Sequence, residues 1–91
     1  MSDPQRVLRL RQGQVAWREV EHEIVGVALE HGQYFGVSPS GALLWSALAE
    51  GTTRETLVAR LAARFALDRE RAGRDVDAFL AGLDDWQLLE P

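Results

Sequence analysis

The spacing of apolar residues changes from an alternating to a helical pattern near Ser38. Before that point, Val15–Val20 alternates apolar with polar side chains, as a half-buried strand does. Residues 24–29 are apolar on both sides and rich in β-branched side chains, which is typical of a central strand. Residues 30–33 predict a turn, and residues 34–37 predict a third strand.

After this change, apolar residues recur every three or four positions and predict three helices. The first begins at Pro39, after an N-cap serine, and ends at Gly51. Thr52 and Glu55 have the spacing of a capping box for the second helix, and Asp68 suits the N-cap of the third. The predicted apolar stripes comprise Leu44, Trp45 and Leu48, then Val58, Leu61, Ala62 and Phe65, and finally Ala72, Val76, Phe79, Leu80 and Leu83.

The predicted fold is α+β, a three-stranded antiparallel sheet followed by a three-helix bundle, similar in outline to a winged helix-turn-helix. Strands grouped before helices favour this class over parallel α/β. The length fits a single domain over residues 1–91. Residues 1–13 are expected to form an N-terminal arm, within which residues 7–11 are either loosely paired or an extra edge strand. A tail from Trp86 onward is expected to pack back on the bundle.

Composition narrows the possible functions. The net charge of -4 disfavours nucleic-acid binding, which depends on neutralising phosphates. The absence of cysteine removes disulfides, thiolate catalysis and cysteine-ligated zinc. No apolar run approaches the roughly 20 residues that span a bilayer, and the first residues lack the pattern of a secretory signal. We therefore expect a cytoplasmic protein that binds neither nucleic acid nor membrane.

Candidate catalytic groups are few. His22 and His31 are the only bases that titrate near neutral pH, and both fall at strand ends or turns without a nucleophile nearby. Asp75 and Asp77 are two apart on a helix and point in different directions, which favours a solvated face. Asp75 flanks the apolar stripe and could meet a basic group on a ligand. We expect no catalytic residue, no metal site and no cofactor, and hence no enzyme.

Three arginines at the start of the last predicted helix suggest an alternative function. Arg69, Arg71 and Arg74 could make a winged-helix surface for DNA. Glu70 and Asp75 interrupt them, and no aromatic residues stand between them to stack on bases. A solvated helix start is the favoured interpretation. A second alternative is an adaptor subunit that packs permanently on an enzyme through exposed tryptophans.

The third predicted strand lacks the features that discourage strand pairing. Gln33–Val37 contains no lysine, proline or inward charge. If this strand lies at an edge, it can accept an extended peptide by β-augmentation. The alternative is that a helix or the N-terminal arm covers it. Gly36, inside this strand, indicates either a bulge or a place where another backbone comes close.

Several strings, in order, resemble the PqqD-like family, the peptide-recognition elements of ribosomal peptide-modifying pathways. Residues 29–37 look like the family's strand–turn–strand with an aromatic pair, and residues 41–45 look like the helix that follows. Residues 53–65 and 75–80 look like its second and third helices. The resemblance covers about residues 15–89, and it depends on the order and spacing of the strings together.

Two departures from the family pattern leave the proposed edge unchanged. Ser38 stands where the family often has asparagine, and Trp86 lies where it often ends in a glycine–leucine pair. The chain also lacks the proline-containing second hairpin usual in the branch that serves coenzyme PQQ. It looks more like the small stand-alone members of lasso-peptide clusters.

The resemblance implies a RiPP recognition element, which binds the leader region of a precursor peptide against the third strand and third helix. It implies delivery of that leader to a processing enzyme, which in lasso systems is a separate leader peptidase. The resemblance also implies which residues of this chain would bind the leader. The backbone partners would be Gln33, Tyr34, Phe35, Gly36 and Val37. The groove wall would be formed by Val76, Phe79, Leu80 and Leu83, with Asp75 as a polar contact.

The turn between the second and third strands decides which side chain faces the groove. A two-residue turn would pair Leu29 with Tyr34 and Ala28 with Phe35, and a bulged turn would shift this register by one. Both possibilities remain open from the sequence. Apolar helix residues at this spacing are also compatible with an ordinary core.

Overall fold

The computed structural model describes residues 6–30 and 32–90. The strands are β1 (Val15–Val20), β2 (Glu23–Ala28) and β3 (Gln33–Val37), and the helices are α1 (Pro39–Glu50), α2 (Arg54–Phe65) and α3 (Arg69–Asp85). The predicted fold of three antiparallel strands followed by three helices is confirmed. The second strand begins and ends one residue earlier than predicted, and the third begins one residue earlier.

The strands lie in the order β1-β2-β3, so β2 is central and β3 is an edge. Ala28 pairs with Gln33 and Gly26 with Phe35. Neither register considered from the sequence is correct, because the connection spans four residues, 29–32, instead of two. The observed pairing of β2 with β3 is shifted by two positions from the pairing that a two-residue turn would give. Because alternate residues of a strand point to the same face, a shift of two positions leaves every side chain on the face expected for that turn. Phe35 therefore faces the helices and Tyr34 faces away.

The predicted starts of α1 and α3 are correct, and that of α2 is not. Asp68 caps α3, since its carboxylate accepts a hydrogen bond from the backbone N–H three residues later at 2.8 Å. The prediction for α2 was wrong by one residue. Thr53, not Thr52, is the N-cap, and its hydroxyl accepts from the N–H of Thr56 at 3.2 Å. Thr52 instead exchanges two backbone hydrogen bonds with Leu8.

Residues 6–14, directly before β1, form an arm and not an extra strand of the sheet. Leu8 forms an isolated bridge with Thr52, and Leu10 forms another with Leu89. Leu10 is buried, and the C-terminal tail packs back on the bundle as predicted. Residues 1–5 of the predicted arm lie outside the described residues.

The core lies between one face of the sheet and the three helices. Its fully buried large side chains are Trp45, Ile24, Leu48, Leu57, Leu61 and Val76. Trp45 was predicted on the stripe of α1, and Ile24 of the central strand belongs to the same buried cluster. The helices therefore cover one face of the sheet and leave the other face to solvent.

Candidate functional site: a free sheet edge and its groove

β3 has one paired side and one open side. It pairs with β2, and no other described element makes a backbone hydrogen bond to Gln33–Val37. The N-terminal arm, one of the possible covers, pairs instead with the α1–α2 connection and the C-terminal tail. Half of the backbone groups along β3 thus have no backbone partner among the described residues, and such a row can pair with an extended chain.

An apolar groove runs beside this edge, between β3 and α3. Its volume is about 320 Å³. The side chains and backbone that line it are Phe35, Val37, Trp45, Ala78, Phe79, Gly82, Leu83, Trp86 and Leu88. None of these residues carries an acid, a base or a nucleophile. The groove can therefore take up apolar side chains, but its walls offer no group for acid–base or covalent chemistry.

Aromatic rings that pack against one another form the floor of the groove. The ring of Phe35 lies 5.5 Å from that of Trp45, and Trp17 meets Trp45 edge-on at 5.8 Å. Gly26 makes this arrangement possible, because a Cβ atom there would lie 2.8 Å from the tip of the Phe35 ring. The Phe35 ring thus lies over Gly26 of the central strand and packs against Trp45.

A second glycine sets the end of the groove nearest α1. A Cβ atom on Gly41 would lie 2.5 Å from Cγ1 of Val37 and 3.0 Å from Cε1 of Phe79. The first turn of α1 can therefore approach both β3 and α3 closely. This approach brings Val37 and Phe79 together, although they belong to elements far apart in sequence.

The structure separates the helix residues that the sequence grouped as the groove wall. Phe79 and Leu83 line the groove. Val76 is fully buried in the core, and Leu80 is partly buried against the core without lining the groove. Asp75 is exposed one turn before Phe79, outside the groove lining.

The strand residues also divide between the two faces. Phe35 and Val37 line the groove, whereas Tyr34 is 83% exposed on the opposite face. Gly36 pairs in regular register with Val25, so the strand has no bulge there. Gln33 borders a hollow beyond the groove. The pair that the sequence could not separate, Tyr34 and Phe35, is resolved in favour of Phe35.

Three groove-lining residues in or directly after α3 were not predicted from the sequence. Ala78 and Gly82 lie four apart on the same side of α3, and Trp86 follows four residues later as its C-cap. Ala78 and Gly82 are small, so they leave space between the helix and the strand. The sequence feature that could have predicted this part of the groove is the pair of small residues, four apart, beside the apolar stripe.

One end of the groove is acidic. A hollow of about 400 Å³ adjoins it and is bordered by Glu30, Gln33, Asp85, Trp86 and Gln87. It also lies at the C-terminus of α3, where the helix dipole is negative. α3 has no basic residue in its last turn. A cationic side chain is therefore favoured at this end of the groove.

Two of the three arginines considered for DNA binding are engaged by acidic neighbours. Arg69 donates to Glu55 on α2, and Arg74 lies 3.7 Å from Glu70 one turn earlier. These pairs neutralise charge on the surface where phosphates would bind. Together with the net charge of -4, they disfavour the DNA-binding alternative.

An ion pair joins α2 to α3 away from the groove. Arg54 donates two hydrogen bonds to the carboxylate of Asp77, at 2.7 and 3.0 Å. The hydrogen bond from Arg54 holds the pKa of Asp77 below its usual value and raises the pKa of Arg54. This pair is part of the packing of the two helices and does not contribute to the groove.

Other chemistry finds little support in the described residues. His22 is exposed in the β1–β2 turn, and His31 lies outside the described residues. Within residues 6–30 and 32–90, no three metal-binding side chains converge on one point. No helix in the same ranges combines the length and the apolar character needed to cross a membrane.

A free strand edge beside an apolar groove defines a class of domain that binds an extended chain as an added strand. The family model described as "Coenzyme PQQ synthesis protein D (PqqD)" matches residues 23–89. The match covers most of the chain, which therefore belongs to this family. The resemblance noted in the sequence is confirmed.

Two solved structures have the same fold. TbiB1, in complex with the TbiA(beta) leader peptide, is 33% identical over 90% of this chain and 94% of that chain, with a TM-score of 0.81. A lasso peptide synthetase B1, complexed with the leader peptide, is 21% identical over 92% of this chain and 98% of that chain, with a TM-score of 0.79. A comparison with curated proteins gives no match.

Proposed function

We propose that this chain binds the leader region of a ribosomally made precursor peptide as an added strand on β3 and presents it to a processing enzyme. The observation that carries the proposal is the open edge of β3 directly beside an apolar groove. The similar structure of TbiB1 was solved with a leader peptide, which supports the same class of ligand here. The lasso-peptide type and a leader peptidase as the enzyme served belong to this proposal.

In this proposal, the backbone and the side chains of the site have different roles. The backbone of Gln33–Val37 would exchange hydrogen bonds with the leader and fix its direction and register. Alternate leader side chains would enter the groove, because successive residues of a strand point to opposite faces. Phe79 and Leu83 would contact these anchors, with Val76 supporting the helix from the core side.

The proposed function includes no catalysis by this chain. The groove walls are apolar, so a bound leader would meet no proton donor, acceptor or nucleophile there. The chain would act by raising the local concentration of the precursor at the enzyme. We accordingly propose no cofactor and no catalytic residue.

A backbone-directed binding assay tests the mode of binding. A fluorescent leader, synthesised from the precursor encoded together with this chain, is titrated with the protein and followed by anisotropy. In a series of leaders, each carries one N-methylated amide. Methylation of amides that face β3 should weaken binding by at least about 0.5–1.5 kcal/mol each, the net value of a hydrogen bond, whereas methylation of the alternate amides should have little effect.

The alternating pattern is itself the control. If every N-methyl position weakens binding equally, or none does, strand addition is wrong. A random DNA duplex at low salt serves as the ligand for the alternative function. We expect no salt-dependent binding to it, and strong binding at low salt would favour the DNA-binding alternative.

A further inference from the structure

One buried polar group has no hydrogen-bond partner. Trp45 is 1% exposed, and its indole Nε1–H donates to no described residue. In the part of the chain that the structure describes, it is the one buried side-chain nitrogen or oxygen in this condition. Buried donors are nearly always paired, because an unpaired donor loses its bonds to water and gains none in return. The indole N–H of Trp45 therefore calls for an acceptor from outside the described chain.

This unpaired donor belongs to a residue of the groove. Trp45 lines the groove between β3 and α3. The rings that pack on its indole are those of Phe35, at 5.5 Å, and Trp17, at 5.8 Å, and neither ring carries an oxygen atom. Ala78 and Gly82, which line the same groove, have small side chains and leave room in it. A molecule in the groove is therefore the available source of an acceptor.

We propose that the indole N–H of Trp45 selects a leader whose side chain in the groove ends in a neutral acceptor, the hydroxyl or amide oxygen of a residue such as threonine, tyrosine or glutamine. This inference rests on the proposed function, which places leader side chains in the groove. An indole N–H donates a hydrogen bond and accepts none, so Trp45 has no part in proton transfer. It is a specificity-determining residue of the groove.

Strand addition decides which part of the leader can supply the acceptor. The carbonyl groups of an added strand lie in the plane of the sheet and bond along its edge, whereas alternate side chains leave that plane and enter the groove. Trp45 lies on α1, which packs against β2 and β3 from the helical side. The acceptor must therefore be on a side chain of the leader and not on its backbone.

The chemistry of the groove favours a neutral acceptor over a charged one. The residues that line the groove include no cation, and the chain has a net charge of -4. Burial of a carboxylate against a single N–H would cost far more than one hydrogen bond returns. A purely aliphatic anchor would leave the N–H unpaired, as it is in the free chain. A hydroxyl or an amide at the end of an apolar side chain fits both the walls and the donor.

Leaders that differ only in the acceptor provide the first test. The leader is that of the precursor encoded together with this chain. Each groove-facing side chain that carries a hydroxyl or amide is replaced by an apolar one of similar shape: threonine by valine, tyrosine by phenylalanine, glutamine by methionine. One such change should weaken binding about three- to tenfold, the net value of one hydrogen bond. The same changes at the alternate, outward-facing positions are the control and should leave affinity unchanged. Wild-type affinity for every groove-facing change would overturn the proposal.

Removal of the indole N–H assigns the effect to Trp45. Trp45→benzothienylalanine keeps the shape of the two fused rings and has sulfur in place of the N–H. This protein should bind the leader and its apolar counterpart equally well, because the three- to tenfold preference of the wild-type chain depends on the donor. The comparison is a double-mutant cycle, which isolates the interaction between the two groups. A preference that persists in the modified protein would place the partner of the acceptor elsewhere and overturn the role of Trp45.

Nuclear magnetic resonance follows the donor in the unaltered chain. The three tryptophans give three indole N–H signals, and that of Trp45 is identified by its contacts with the Phe35 ring. The leader should shift this signal downfield, as a new hydrogen bond does, whereas the apolar counterpart of the leader should not. The face of the Trp17 ring is the alternative acceptor, since N–H groups also interact with aromatic rings. An indole signal that keeps its free position when the leader is bound would favour that alternative and overturn the proposal, even if the modified protein does not fold.

Failure of this inference is distinguishable from failure of the proposed function. If the wild-type chain does not bind the leader at all, the proposed function is wrong and the role of Trp45 is wrong with it. If the leader binds and its N-methylated series shows the alternating pattern, but the apolar counterparts bind equally well and the Trp45 signal does not move, only the role of Trp45 is wrong.

Discussion

Substitution of Gly82 should move stability and binding in opposite directions. Gly82 lines the groove from within α3, and a Cβ atom there would have no neighbour within 4 Å. A leucine at this position can therefore extend into the groove without disturbing the folded chain. Replacing a helical glycine by a good helix former stabilises a protein by about 0.5–1 kcal/mol, so Gly82→Leu should raise the melting temperature.

The same leucine should compete with the leader for the groove. An apolar anchor that can no longer be buried loses about 1.5–3 kcal/mol of transfer free energy. At about 1.4 kcal/mol per factor of ten, this weakens leader binding by about 10- to 150-fold. The cavity of about 320 Å³ is small enough that one added leucine side chain reduces the space for an anchor substantially.

Two control variants separate the groove from the helix. Gly82→Ala raises the helix propensity at this position but adds only a methyl group. This variant should therefore be more stable than wild type and keep most of its leader affinity. Ala81→Leu places the same bulk on an exposed position of α3 that does not line the groove, and it should bind the leader as wild type does. Anisotropy gives affinity and thermal unfolding gives stability. Wild-type affinity for Gly82→Leu, in a folded and stabilised protein, would refute the assignment of the groove.

Two further predictions concern packing and pH. Gly41→Ala should destabilise the fold by about 1–3 kcal/mol through overpacking, because its Cβ would press on Val37 and Phe79; unchanged urea unfolding and leader affinity would contradict this. Asp77→Asn should cost less than about 1 kcal/mol at pH 7, since its pair with Arg54 is largely exposed. Because the folded-state pKa of Asp77 is lowered, the contribution of the pair is present above the ordinary carboxyl pKa and is lost as pH falls through the lowered one, so the two unfolding curves should converge in acid.

The order of elements was predictable from the sequence because two periodicities meet at one point. Alternation before Ser38 and three-to-four spacing after it determine strands and helices independently of tertiary contacts. Boundaries were less certain where neighbouring residues have the same chemistry. Thr52 and Thr53 can both cap a helix, and pairing of the Thr52 backbone with Leu8, distant in sequence, leaves the role to Thr53.

The register of the edge strand was not predictable from local sequence. A glycine in the turn is compatible with two-residue and longer turns, and the observed turn is closed by a hydrogen bond from Gly32 N–H to the carbonyl of Ala28 at 2.7 Å. The face of Phe35 depends on this register and on the space above Gly26. The contact between Phe35 and Gly26, on different strands, determines that Phe35 and not Tyr34 faces the groove, a choice that the sequence left open.

The division of the α3 stripe depends on where the helix lies. Val76 and Phe79 belong to the same apolar pattern, yet Val76 is in the core and Phe79 is in the groove. The sequence shows how wide the stripe is, but the position of the sheet decides which part of it is covered. The small side chains of Ala78 and Gly82 leave the space of the groove open. A search for apolar periodicity does not detect such positions, because it scores large apolar side chains.

Backbone amide exchange along β3 tests the central claim most directly. Hydrogen–deuterium exchange of Gln33–Val37 is measured by NMR with and without the leader peptide. The account predicts that the amides facing away from β2 exchange rapidly in the free protein and become strongly protected when the leader is added, while those bonded to β2 change little. Protection of the outward amides in the free protein, with no further change on addition of the leader, would contradict it.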